Sequence, residues 1–166
     1  IWNGFTMNGR EDDYEWSKPY MKNNQVFVVR GDSDINSEAD LAGKNVEVQT
    51  DSSAEAALND NSELTSMFGS LTPVADYNTA FMDLESGAVD AIAMDDVVAS
   101  YQTKSRKADF KVLDDVIAAE EYGIGFKKGN TGLRDKVQAT LEEMAADGTA
   151  AKISEKWFGK DITTIQ

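Results

Sequence analysis

The chain has no cysteine and no histidine. Thiol nucleophiles, thiolate metal sites, disulfides and histidine general bases are therefore excluded. An absence of cysteine is compatible with an exported bacterial protein. Basic residues are scarce too, 16 against 30 acidic ones, for a net charge of −14. That balance argues against nucleic acid, whose partners present basic patches, and against an anionic membrane surface. No apolar run approaches the ~18 residues that would span a bilayer, and no stretch has the pattern of a signal peptide. The chain opens on Ile1-Trp2 without a methionine, which suggests a fragment or a processed chain, from which a targeting segment could have been lost.

What is present suits one ordinary domain or two small lobes: 166 residues, 41% of them hydrophobic. The most informative stretch runs from Gly43 to Leu58, GKNVEVQTDSSAEAAL. Val46 to Gln49 alternates apolar and polar residues, a short strand signature. Thr50-Asp51-Ser52-Ser53 breaks the pattern, and Ala54 to Leu58 are strong helix formers. Ser52 and Glu55 have capping-box spacing. A helix that starts directly after a strand aims free N–H groups and its positive dipole end at the loop, a place suited to a carboxylate or phosphate. Ser52 either serves that site or only caps its helix.

Elsewhere strands and helices alternate, which implies a mainly parallel α/β sheet. Ile1-Trp2 reads as the tail of a buried strand. Arg10 precedes Glu11, Asp12 and Asp13; it is either a surface arginine paired with those acids or a guanidinium fork held for a carboxylate. QVFVVR, 25–30, is a strand buried on both faces. Gly31 to Asn36 is a polar link, a plausible crossing between lobes. Ser37 to Ala42 is a short helix with Ser37 and Asp40 at capping spacing. Leu71 to Ala75 is a strand that Pro73 places at an edge. Asn78-Thr79 precedes a helix over 80–86 that stops at Gly87.

VDAIAM, 89–94, is a strand that runs into Asp95-Asp96 and a helix from Val97. An acid at the end of such a strand sits where open α/β sheets bind ligands; one of the two faces inward and the other begins the helix. Further strands are expected over 110–116 and 122–126. Leu133, Val137, Leu141 and Met144 form one helical face, and Ile153, Trp157 and Phe158 belong to a last helix. These stripes read as core.

Six segments in order, IWNGFTMNGRED, WSKPYMKNNQVFVV, LAGKNVEVQTDSSAEAAL, LESGAVDAIAMDDVVASY, EYGIGFKKGN and LEEMAADGTAAKISEKWFGKD, together resemble the polar amino-acid-binding proteins of ABC importers, the family 3 solute-binding proteins. The resemblance implies a type II periplasmic-binding-protein-like α/β fold of two lobes. Residues 1–30 and 121–166 would form a partial lobe 1, residues 31–120 a complete lobe 2, and 25–30 and 122–126 the crossing strands. It also implies a site for a free amino acid. Gly4 would offer its carbonyl to the ligand ammonium, and Thr6 its hydroxyl and N–H to the carboxylate. Arg10 would form a bidentate pair with that carboxylate. Ser53, beside Ser52, would donate to it from the other lobe, Asp95 would accept from the ammonium, and Gln49 would face the ligand side chain. No cofactor, metal or catalytic residue is implied. The partners would be an amino acid and an ABC permease, and the setting extracytoplasmic, a periplasm or a cell-surface lipoprotein.

Two departures stand out. Asp51 occupies a position where the family usually has glycine, which matters if φ is positive there. The family also begins earlier, with a βαβαβ part of lobe 1. Its lack would expose a sheet edge and the apolar faces of Trp2, the QVFVV strand and the last helices, so the expectation is a homo-oligomer or a domain-swapped dimer. Three other functions compete: a receiver-like signalling domain using Asp51, Asp95 and Asp96 around a cation, a dehydratase-like enzyme on the same fold, and a binding-incompetent fragment. The identity of the amino acid is not legible.

Overall fold

A computed structural model describes residues 1–106 and 108–165. Along the chain lie β1 (Phe5–Thr6), β2 (Glu15–Trp16), β3 (Met21–Arg30), a 3-10 turn (Glu38–Leu41), β4 (Asn45–Gln49), α1 (Ser53–Asp60), α2 (Ser62–Thr65), β5 (Ser70–Val74), α3 (Tyr77–Ser86), β6 (Ala91–Asp95), α4 (Asp96–Ser105), β7 (Phe110–Gly123), β8 (Gly125–Phe126), α5 (Thr131–Ala146) and α6 (Thr149–Phe158). The chain divides into two compact units, one of residues Ile1–Asn23 and Glu120–Gln166, the other of Asn24–Ala119.

In the second unit the strand order is β7-β3-β6-β4-β5. The strands joined through helices are parallel, β4 to β5 and β4 to β6, while β3 runs antiparallel to β6. The sheet is therefore mixed around a parallel centre. Pro73 sits on β5, the edge strand, where its missing N–H is harmless. The apolar run of β3 divides by strand periodicity. Phe27 and Val29 join Val46, Val48, Ala54, Leu58, Ala91 and Ala93 on one face of the sheet. Val26 and Val28 join Ala80, Phe81, Leu84, Ile92, Met94 and Ala99 on the other. Each Val, Leu, Ile, Phe or Met among them contributes roughly 1.5–3 kcal/mol on burial.

The helix ends follow local chemistry. Asp40 Oδ2 accepts from the N–H and hydroxyl of Ser37, both at 3.0 Å. Helix α3 starts three residues before the expected Ala80, because Asp76 is its cap: Asp76 Oδ1 accepts from the Thr79 N–H at 3.1 Å. Gly87, at φ 80°, ends it. Gly31–Asn36 is no crossing between the units. It lies inside the second, where the Gly31 N–H donates to the Asp109 carbonyl and Lys111 Nζ to that of Ser33.

Three further expectations need correction. The strands expected over 110–116 and 122–126 are one 14-residue strand, β7, followed by the short β8. Asp114-Asp115 does not interrupt it, because the extended backbone lets alternate side chains reach solvent. Ile1 and Trp2 are exposed and belong to no strand; the first strand starts at Phe5. The C-terminal stripe is only partly core. Helices α5 and α6 pack on one another and bury Leu141 and Ala150, but Leu133, Ile153 and Trp157, the last 66% exposed, face outward. QVFVV, by contrast, is buried throughout.

In the first unit β1 pairs antiparallel with the end of β7, Phe5 opposite Gly123 and Thr6 opposite Tyr122, and β2 pairs with β8. Phe5, Tyr14 and Trp16 form an aromatic cluster with ring centroids 5.1–5.3 Å apart.

Candidate functional site

The second unit builds its part at the end of β4. The Thr50 N–H and hydroxyl both donate to the Val74 carbonyl, at 2.9 and 3.1 Å, and pin the turn to β5. Asp51 then takes φ 59°, the one non-glycine residue in the left-handed region among the described residues. The position is thus a true left-handed one, occupied by one of the side chains that tolerate it best. Ser52 Oγ accepts from the Glu55 N–H at 3.1 Å and caps α1. The returning bond of the capping pair is displaced by one residue: Glu55 Oε2 accepts from the Asp51 N–H, at 2.7 Å. As an acceptor, the Ser52 hydroxyl keeps its own hydrogen for donation. Ser53, half-buried, is the first residue of α1. Gln49, also half-buried, closes β4 and donates from Nε2 to the Ala75 carbonyl at 3.5 Å.

Asp95 ends β6, the parallel neighbour of β4, and stands at the N-cap position of α4. Gln25 stands opposite it in the β3–β6 register and donates from Nε2 to Asp95 Oδ1 at 3.0 Å. Gln49, Ser52, Ser53 and Asp95 therefore share the C-terminal edge of the parallel strands. Asp96 is the first residue of α4, as expected for one acid of the pair. Its Oδ2 accepts from Asn24 Nδ2 at 3.2 Å. Burial pushes the Asp96 carboxyl above its ordinary pKa, against the donors of Asn24 and Val97. Among the described residues no three acidic groups stand close enough to hold a metal ion. The cation cluster that a receiver-like reading needs of Asp51, Asp95 and Asp96 is not formed.

The first unit carries Gly4, Thr6 and Arg10. Gly4 has φ +70°, and a Cβ there would lie 3.1 Å from the Tyr122 ring, so no other residue fits without displacement. Tyr20 meets the Gly4 backbone, and burial raises its phenol pKa above the usual value despite that contact. Arg10 is half-buried, and its Nη1 donates to the Thr6 carbonyl at 3.2 Å. Its guanidinium lies 5.3 Å from the centroid of the Phe5 ring. Its own carbonyl accepts from Trp16 Nε1 at 3.0 Å. Among the described residues it forms no ion pair with Glu11, Asp12 or Asp13. The surface-pair alternative is therefore excluded: the side chain is held by neutral groups and an aromatic face.

Thr6 is buried, and its hydroxyl donates to Glu120 Oε2 at 3.0 Å. Asn23 Nδ2 donates to the same oxygen at 3.1 Å. Glu120, 7% exposed, escaped the sequence reading. The available signal was periodicity: Glu120 shares a strand face with Tyr122, which is buried, so an acid there needs partners.

An α/β chain with hydrogen-bond donors and acids gathered at the ends of parallel strands, and an arginine with no ion pair among the described residues, fits the class of α/β proteins that bind small ligands at strand ends, the periplasmic-binding-protein type among them. The particular family follows from comparison. The chain belongs to the bacterial extracellular solute-binding proteins, family 3, whose pattern matches residues 1–160. It is 32% identical over 156 residues to the L-cystine-binding protein TcyJ of Escherichia coli strain K12, covering 93% of this chain and 57% of that protein. It is equally 32% identical over 157 residues to the L-cystine-binding protein TcyA of Bacillus subtilis strain 168, covering 93% of this chain and 56% of the relative. Among solved structures it resembles a substrate-binding protein of an ABC uptake transporter from Streptococcus pneumoniae with bound histidine, at TM-score 0.91 and 30% identity, covering 99% of this chain and 69% of the other. The chain thus spans a little over half the length of these curated relatives.

Proposed function

We propose that this chain is the amino-acid-binding part of an ABC importer's extracytoplasmic binding component, with a binding rather than a catalytic role. The first unit is read as a partial lobe 1 and the second as lobe 2. Gly4, Thr6 and Arg10 from the one, and Gln49, Ser52, Ser53 and Asp95 from the other, would serve the same free amino acid. Arg10 and the start of α1 take the carboxylate, and Asp95 takes the ammonium. The observation that carries the reading is Arg10, a half-buried guanidinium held by a carbonyl and a ring, with no acid paired to it among the described residues. Such an arrangement is ready for a ligand carboxylate. The names of the relatives, binders of cystine in two cases, support an amino acid as the ligand class. The setting would be a periplasm or a lipid-anchored cell surface, with a permease as partner.

Exposed Trp2, Leu133 and Trp157 in the first unit support association with a second copy or exchange of elements with it, and a sharply monomeric mass by light scattering at tens of micromolar would contradict that part. Calorimetric titration against pools of common amino acids tests the main reading. Binding in the micromolar range, abolished by Arg10→Ala and by Asp95→Ala, is expected. Absence of heat from every pool assigns this chain to the binding-incompetent alternative.

A further inference from the structure

We infer that Glu120 is the positioning residue for Arg10, acting through Thr6; the inference rests on the proposed role of Arg10 as an anion receptor. Thr6 belongs to β1, a strand of only two residues. So short a strand is weakly held by its backbone pairing alone. Yet the Thr6 carbonyl is the hydrogen-bond acceptor that Arg10 Nη1 uses. Whatever fixes the Thr6 peptide therefore fixes one end of the guanidinium.

The side chain of Thr6 supplies that fixation. A carboxylate accepts and does not donate, so the single hydroxyl hydrogen of Thr6 is directed at Glu120 Oε2. Hydrogen bonds with one ionised partner are about twice as strong as neutral ones. Asn23 Nδ2 donates to the same Oε2 and steadies the carboxylate in turn. The result is a line of bonds, Asn23 to Glu120, Thr6 to Glu120 and Arg10 to Thr6, all within the first unit. The Phe5 ring supports the other side of the guanidinium. Arg10 is thereby held in one orientation before any anion arrives, which reduces the ordering needed on binding. The same line assigns the buried Thr6 hydroxyl to Glu120 and leaves ligand recognition in this unit to Arg10 and to the backbone.

The test follows the Nε–Hε resonance of Arg10 by 15N relaxation in the full chain, without ligand. In the unsubstituted chain the group is expected to be rigid. In Thr6→Val and in Glu120→Ala its order parameter should fall below ~0.6, the flexible range. Glu120→Gln, which keeps an acceptor oxygen at the same reach, should retain most of the rigidity, as should Thr6→Ser. Should Glu120→Ala fail to fold, Thr6→Val carries the test, since valine matches threonine in shape. An Arg10 signal as rigid in Thr6→Val as in the parent, or equally mobile in Glu120→Gln and Thr6→Val, overturns the inference. The measurement needs no amino acid, so the two readings fail separately: a rigid, Glu120-dependent Arg10 in a chain that gives no heat with any amino acid sustains this inference and removes only the binding function.

Discussion

Replacing Glu47 by glutamine should stabilise the protein at neutral pH and leave it almost unchanged in acid. Glu47 lies in the middle of β4 and is 6% exposed. Its Oε2 is buried with no hydrogen-bond partner. Burial raises its carboxyl pKa above the ordinary value, and the charge and hydrogen bond of the neighbouring Asp83 carboxylate raise it further. A group whose pKa is raised by folding binds its proton more tightly in the native state. Its favourable contribution is therefore complete below the unfolded pKa and disappears as pH rises through the folded one. Once the pH has risen through that raised pKa, the parent carries a buried charge facing the Asp83 carboxylate. An unsatisfied buried polar group costs about 1–3 kcal/mol. Glutamine has nearly the same volume, no charge, and an amide that can donate to Asp83. Glu47→Gln should thus gain about 1–3 kcal/mol at pH 7, and the gain should shrink towards zero near pH 4. The assay is urea denaturation at both pH values followed by far-ultraviolet circular dichroism. Tryptophan fluorescence is unsuitable, because Trp2, Trp16 and Trp157 all belong to the first unit. A variant no more stable than the parent at pH 7, or one equally stabilised at both pH values, refutes the reasoning.

Three other outcomes follow from particular contacts. Ser52→Ala removes the cap of α1 and should lower stability by about 1 kcal/mol, read as a lower urea midpoint. Asp51→Gly relieves a left-handed backbone at φ 59° but frees the unfolded chain; the opposing terms, each below about 1 kcal/mol, should leave the urea midpoint within experimental scatter of the parent. Phe81→Ala should cost about 3–5 kcal/mol. That ring is fully buried and packs edge-on against the Phe110 ring of β7, at a centroid distance of 5.2 Å, and the Arg106 guanidinium lies 4.5 Å from its centroid. Loss of the cooperative dichroism transition would be the sign.

Much of the architecture was legible because its signals are local. The QVFVVR run announced a doubly covered strand, and β3 is one. Ser52 before Glu55 announced a helix start, and α1 begins there. Gly87 announced an end to α3. Elsewhere a stronger local cue or a tertiary neighbour decides. Asp76 caps α3 better than the residues after it, because its carboxylate reaches the Thr79 N–H and hydroxyl together. In β4 the alternation of Val46, Glu47 and Val48 marks a strand, and tertiary packing buries all three, the acid included.

The sequence by itself determined the class of fold, the family, and the residue types gathered at the strand ends, since strand period, helix caps and glycine positions are properties of a few neighbouring residues. It also excluded histidine and cysteine chemistry outright. Only the tertiary structure decided what each polar group faces. Arg10 lies beside three acids in the chain but rests on Phe5 and the Thr6 carbonyl. Glu120, one of two adjacent glutamates with no motif around it, meets Thr6 across 114 residues of chain. Glu47 acquires its raised pKa from burial and then from Asp83. The reason is common to all three: a hydrogen bond or a desolvated charge depends on atoms brought within a few ångströms by folding, and residues far apart in the chain leave no periodic trace of that meeting.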